Sequence, residues 1–332
     1  MKRILIILSI LLISKSSLAQ QDEIKNLEID LSNYQYPYEV AFYDFEAQQQ
    51  ELQMAYVDEK PKKWNGQTVV LLHGKNFNIA YWQTTIELLK ENNYRVIAPD
   101  QIGFGKSTKP ENFQYTFQQL AENTKNLLSE IEVENPIILG HSMGGMLATR
   151  FTLMYPEYTK QLVLVNPIGL EDWKLKVPYQ SIDDWYKGEL KKDYKKIKAY
   201  QKESYYDGDW KPEYDEWVNI LAGWTLNENY ERIAWNAALT YDMVFTQPVV
   251  YEFPEIEVPT LLIIGTRDRT ALGKGLVSKE VKATMGLYDK LGKETANKIP
   301  NAHLEEIEDV GHLPHIEAFD SFAEKLIPNL MK

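Results

Sequence analysis

The pentapeptide Gly140-His141-Ser142-Met143-Gly144 constrains this chain more than any other stretch. Before it, Pro136-Ile137-Ile138-Leu139 is a short apolar run with β-branched residues; after it, Leu147, Ala148 and Phe151 recur at helical spacing. The pattern predicts a buried strand, a sharp turn and a helix. Glycines flank the serine for a steric reason. A serine forced into a strained backbone conformation needs neighbours without a Cβ, or the returning helix collides with the strand. Such a turn holds the Ser142 hydroxyl out at the end of a sheet, with helix amides beneath it.

Similar strand and helix signals repeat along the chain. Tyr38 to Phe45 and Leu52 to Val57 read as an opening hairpin, and Gln67 to Leu72 as a stronger strand ending in His73-Gly74. A helix is expected from about Ala80 to Asn92 and a strand over Tyr94 to Ala98. Thr116 and Gln119 form a capping-box pattern before a helix whose apolar face runs from Phe117 to Ile131. Gln161 to Val165, Pro259 to Gly265 and Ala302 to Ile307 complete the strands, and a last helix starts near Pro314. Strands alternating with helices predict an α/β fold with a mostly parallel sheet flanked by helices on both faces.

Between about Pro167 and Pro254 this rhythm stops, and six of the eight tryptophans fall there. The segment reads as an inserted helical cap over residues 167–254, the core comprising 20–166 and 255–332. Trp210, Tyr214, Trp217, Leu221 and Trp224 fall on one side of a helix that Pro212 can start, a face expected to pack within the lid. The lysine-rich run Lys187 to Lys198 reads as a solvated helix face.

Residues 1–19 have the make-up of a signal peptide: Lys2 and Arg3, an apolar run Ile4 to Ile13, then Ser17-Leu18-Ala19. The run is well short of the roughly 20 apolar residues that span a bilayer. Cleavage near Ala19 and export to the periplasm or medium are the expectation, with no membrane span elsewhere. The formal charge of −12 argues against nucleic acid as a partner. The absence of cysteine removes disulfides, thiolate metal sites and a cysteine nucleophile. No metal or cofactor is expected. The glycines of Asp100-Gln101-Ile102-Gly103-Phe104-Gly105 lack the third glycine and following helix of a dinucleotide loop.

With Gly145 extending the turn to Gly-His-Ser-Met-Gly-Gly, the chain resembles the α/β-hydrolase superfamily, in its branch of capped serine hydrolases. The resemblance spans Tyr38 to Lys332 at the level of fold. It is most specific at residues 140–145, 265–268 and 311–315.

A serine hydroxyl needs a base within hydrogen-bond reach, and the base needs an acid to hold its tautomer. Of the five histidines, His312 follows Gly311 just after the last strand and is the candidate base. His73 and His141 stand where, by resemblance, such residues shape loops; His303 opens a strand; His315 falls in a helix turn and reads as packing or surface polarity. Asp268 lies directly after the strand Leu261 to Ile264, and the order Ser142, Asp268, His312 matches that of the family. Glu171 is the fallback acid, since some relatives carry it one strand earlier, near Asn166. The oxyanion donors implied by the resemblance are the main-chain amides of Met143 and Lys75, with Asn76 as a further possibility. Lysine departs from the apolar residue of many relatives. Its ammonium either points to solvent or biases the site toward an anionic substrate.

The cap and the Asp100 loop look like those of haloalkane dehalogenases and epoxide hydrolases, which attack sp³ carbon with an aspartate. Ser142 argues against both, because a serine would leave an unreactive ether. The expectation is hydrolysis of a carboxylic ester or lactone through an acyl-enzyme, on a small molecule with an apolar or aromatic part. Carbon-carbon hydrolases, proline iminopeptidases (with Glu203, Glu213 or Glu216 holding an amine) and perhydrolases share the triad. A hydrolase-like binding protein is the non-enzymatic alternative.

Overall fold

Each central strand is apolar on both faces, so helices must cover it on both sides. A computed structural model describes residues 24–331; the leader expected over residues 1–19 lies outside them. β1 (Ala41–Ala47) and β2 (Gln50–Glu59) form an antiparallel hairpin. The parallel strands are β3 (Thr68–Leu72), β4 (Arg95–Pro99), β5 (Ile137–His141), β6 (Gln161–Val165), β7 (Thr260–Gly265) and β8 (Ala302–Ile307). Their order in the sheet is β1-β2-β4-β3-β5-β6-β7-β8, with β2 antiparallel to β4. The register sets Leu72 beside Gly140 and His141 beside Val165. The carboxyl ends of β3, β5, β6 and β7 therefore share one edge, where open α/β sheets place ligands.

Helices α1 (Gln83–Glu91), α2 (Phe117–Glu130) and α3 (Met143–Met154) follow β3, β4 and β5. Val70, Leu72, Ile138, Leu164 and Ile264 pack on one face of the sheet with Leu120 and Leu127 of α2 and Leu147 and Phe151 of α3. Val69, Leu71, Leu139, Val163 and Ile263 pack on the other with Ile86 and Leu89 of α1. This alternation is the period-two side-chain pattern of a strand buried on both faces. Thr116 caps α2 by accepting the Gln119 amide at 2.9 Å. The Gln119 side chain donates to Asn123 instead of reaching back, so only half of the capping box forms.

Between β6 and β7 the chain makes α4 (Ile182–Glu189), α5 (Tyr194–Tyr206), α6 (Asp215–Trp224) and α7 (Tyr230–Thr246). The lysine run is not one solvated helix face. Asp193 caps a new helix by accepting the Lys196 amide at 2.8 Å, so the run breaks between α4 and α5. Lys192, at the break, turns inward to Glu189 at 2.7 Å. Pro212 opens a short 3₁₀ turn leading into α6. The aromatic side of that helix packs into the second core, where Tyr214 and Trp224 are buried. The first described residues hold α6 down: the Leu27 amide donates to the Gly223 carbonyl at 3.2 Å, and Trp224 Nε1 to the Glu28 carbonyl at 3.0 Å.

After β7 come the short α8 (Lys279–Lys282) and α9 (Tyr288–Lys298); after β8 come α10 (Pro314–Glu317) and α11 (Phe319–Leu326). Phe322 and Leu326 of α11 complete the second core. Among the described residues, no helix is long and apolar enough to cross a membrane.

Candidate active site

Ser142 stands between β5 and α3 with φ 57° and ψ −122°, a conformation strained for a residue with a Cβ. The turn persists because the glycines let the chain close on itself. A Cβ at Gly144 would lie 2.0 Å from the Leu72 carbonyl oxygen, and one at Gly140 would lie 2.0 Å from that of Gly144. Ser142 is 7% exposed, enough to leave the side chain open to one side.

His312 Nε2 lies 2.9 Å from Ser142 Oγ, and His312 Nδ1 lies 2.6 Å from Asp268 Oδ2. An ionised carboxylate can only accept, so Nδ1 carries the proton and Nε2 presents its lone pair to the serine. Asp268 is buried and also accepts from the Asn166 side chain at 2.9 Å and the Thr270 amide at 2.7 Å. Burial pushes its pKa up, but the adjacent His312 and these donors outweigh burial and hold it below the usual value. Three residues from separate loops, predicted as a set from the sequence, thus form one hydrogen-bonded line.

The other candidates sort by contact. His141 Nε2 meets the His312 carbonyl at 2.8 Å, and His73 Nε2 accepts the Gln101 amide at 3.0 Å, so both brace loops. His303 is exposed and pairs with Glu305 at 2.9 Å. His315 is fully buried against Trp82, with ring centroids 4.6 Å apart, which leaves packing and removes surface polarity. Burial lowers its pKa to about 3, with the His312 charge acting in the same direction. Glu171 accepts the Gly286 amide at 2.7 Å and pairs with Lys176 at 2.8 Å; neither partner belongs to the serine–histidine line. The Asp100 loop is structural: its carboxylate accepts from Tyr36 Oη at 2.7 Å and from the amides of Ile79 and Lys106, both at 2.8 Å.

Met143 opens α3, where a first-turn N–H has no acceptor within the helix. The Lys75 amide makes no hydrogen bond to a described residue. The Asn76 side chain is engaged with Tyr205 Oη at 2.7 Å.

A cavity of about 830 Å³ opens over Ser142, lined from the sheet edge by Lys75 and Asn76 and from the insertion by Trp185, Tyr205 and Tyr241. Sequence periodicity did not single out these three aromatics. Tyr205 stacks on His312 with centroids 5.0 Å apart, and its carbonyl accepts the His312 amide at 2.9 Å. Of the three glutamates considered for holding an amine, only Glu203 lines the cavity, paired with Lys282 at 3.1 Å; Glu216 accepts from Tyr34 at 2.7 Å. The Lys75 ammonium does not point to open solvent: it sits 3.6 Å over the Tyr241 ring. Burial lowers its pKa to about 7, against the raising pull of Glu189.

The family model described as alpha/beta hydrolase fold matches residues 67–319. The crystal structure of a probable hydrolytic enzyme from Pseudomonas aeruginosa PAO1 is similar at 50% identity with a TM-score of 0.92, over 93% of this chain and 99% of that one. A 2-hydroxy-6-oxo-2,4-heptadienoate hydrolase from Pseudomonas putida is 32% identical over 108 residues, which are 32% of this chain and 39% of that protein, so less than half of that relative is spanned. An esterase from Exiguobacterium antarcticum is similar in fold alone, with 20% identity and a TM-score of 0.65 over 83% of this chain and 95% of that one.

Proposed function

Because the chain belongs to the α/β-hydrolase family, we propose that it is a serine hydrolase cleaving a carboxylic ester or lactone through an acyl-enzyme. The observation that carries this reading is the unbroken line from Ser142 Oγ through His312 to Asp268, at 2.9 and 2.6 Å, on the floor of a cavity. Ser142 Oγ attacks the carbonyl carbon while His312 Nε2 takes its proton, and Asp268 holds the resulting imidazolium. The tetrahedral oxyanion is met by the amides of Met143 and Lys75. Collapse expels the alcohol, protonated by His312; the neutral His312 then takes a proton from water as water attacks the acyl carbon, and returns it to Ser142 Oγ as the acyl–oxygen bond to the serine breaks and the acid leaves.

Residues 167–254 act in this reading as a cap that sets substrate choice over a core of 20–166 and 255–332. The substrate is a small molecule with an apolar or aromatic part, in keeping with Trp185, Tyr205 and Tyr241 in the cavity wall. The leader-like residues 1–19 support export. Turnover of p-nitrophenyl esters of increasing acyl length by residues 20–332, abolished in Ser142→Ala, is the expected result. A folded wild-type protein that turns over none of them sinks the esterase assignment. A second reading is carbon-carbon hydrolysis with the same three residues, favoured by the local likeness to the Pseudomonas putida hydrolase. Cleavage of a vinylogous diketone acid in place of esters is the result that would select it.

A further inference from the structure

The Lys75 ammonium lines the cavity over Ser142 and lies over the Tyr241 ring, yet no carboxylate among the described residues stands within 4.0 Å of it. It also donates no hydrogen bond to a described residue, since the acid nearest in role is already taken. Glu189, with its side chain 7% exposed, pairs with Lys192 at 2.7 Å, and Lys192 itself lies 5.7 Å from the Tyr241 ring. Lys75 also borders a smaller cavity of about 50 Å³ lined by Glu189 and Lys192, so where the two cavities meet two amines stand against one carboxylate. Elsewhere in the lining Lys274 donates only to the Arg269 carbonyl, again with no carboxylate within salt-bridge distance among the described residues. In a chain of net charge −12, a cleft with uncompensated cations is a local reversal of sign.

Lys75 is half-buried, and a cation on an aromatic face gains only about 0.5–2 kcal/mol against the cost of partly desolvating an ammonium. Contact with Tyr241 therefore accounts for where the side chain lies but not for the missing anion. Lys75 also follows the strand that flanks the nucleophile: a Cβ built on Gly74 would stand 3.1 Å from Ser142 Cβ. Lys75 and Ser142 line the same cavity, so a molecule that fills it meets both.

We propose that the substrate carries a carboxylate, which pairs with Lys75 against the Trp185–Tyr241 wall while its ester or lactone carbonyl reaches Ser142. The inference rests on the serine-hydrolase reading of this cavity and adds the charge of its substrate. Trp185 and Tyr241 stack with centroids 4.7 Å apart, which holds in place the ring that carries the ammonium and lends the cavity wall apolar edges for the chain between carboxylate and ester.

The test uses Ser142→Ala to prevent turnover, and compares by calorimetry the monomethyl esters of dicarboxylic acids from succinate to suberate with their neutral dimethyl esters. The best-fitting monomethyl ester should bind about 10- to 100-fold more tightly than its neutral counterpart. Adding Lys75→Met should erase that ratio, and Lys75→Arg should keep part of it. Equal affinity for charged and neutral esters across the series overturns the proposal, as does a ratio that survives Lys75→Met. If Lys75→Met does not fold, the ratio in Ser142→Ala alone decides. Turnover of neutral esters by the wild type tests the serine-hydrolase reading separately, so either claim can fail while the other stands.

Discussion

The two walls of the cavity differ in how their charges are met. At the sheet edge Asp268 accepts from His312, Asn166 and Thr270, and each His312 ring nitrogen faces a partner within the chain. Toward the insertion, the Lys75 ammonium rests on an aromatic face with no acid of its own. On the proposed serine-hydrolase reading, the reacting groups are thus held in place before anything binds, as preorganised catalysis requires. The wall proposed for recognition carries a cation without a carboxylate beside it among the described residues. Chemistry and selectivity are separable here, and substitutions on the two walls should leave different kinetic signatures.

The largest effect is expected at the nucleophile. Ser142→Ala should lower kcat on p-nitrophenyl esters by about 10⁵- to 10⁶-fold, with little change in substrate affinity. Asp268→Asn keeps the shape but no longer enforces the Nδ1–H tautomer of His312, and a loss in kcat of about 10⁴-fold is expected. Gly144→Ala attacks the turn itself: a methyl 2.0 Å from the Leu72 carbonyl oxygen forces the backbone apart. A loss of about 3 kcal/mol or more in urea unfolding is expected; an unchanged midpoint would show that the turn can relax.

The smallest effect belongs to the recognition wall. The pKa of Lys75, lowered by burial to about 7, leaves it charged below that pH and neutral above it. The groups that bear on it are Glu189 of α4, Lys192 between α4 and α5, and Tyr241 of α7, while Tyr200 and Tyr205 of α5 line the same cavity. The kcat/KM ratio for a carboxylate-bearing ester over its neutral analogue should therefore fall, by about tenfold, as pH rises from 6 to 8. A flat ratio would remove Lys75 from recognition and leave the first three expectations untouched.

The hydrogen-bonded set Ser142, His312 and Asp268 was legible because each residue sits where a strand pattern ends. The runs before Ser142, Asp268 and His312 are short and bounded, and strand register then brings their ends together without further information. Asn166 was legible only as a place where an acid might have stood; its amide in fact holds Asp268. The insertion was harder to read. Its helices were expected, but Tyr205 meets His312, and Tyr241 meets Lys75, across sequence distances that no periodicity encodes. The lysine run shows why composition misleads there: Asp193 as a helix cap splits it, and one lysine of six turns inward. The stretch from Leu27 to Tyr36 carries no regular period, although its three buried side chains anchor it beneath α6 and the Asp100 loop.

One main-chain hydrogen bond joins the two walls. The carbonyl of Tyr205, in the insertion, accepts the amide of His312, whose ring faces Ser142. Exchanging this insertion for that of a relative would therefore withdraw a support on which His312 is seated. A chimera that transfers substrate preference has to carry the last turn of α5 with the recipient scaffold, because that turn belongs functionally to the histidine loop although the chain reaches it more than a hundred residues earlier.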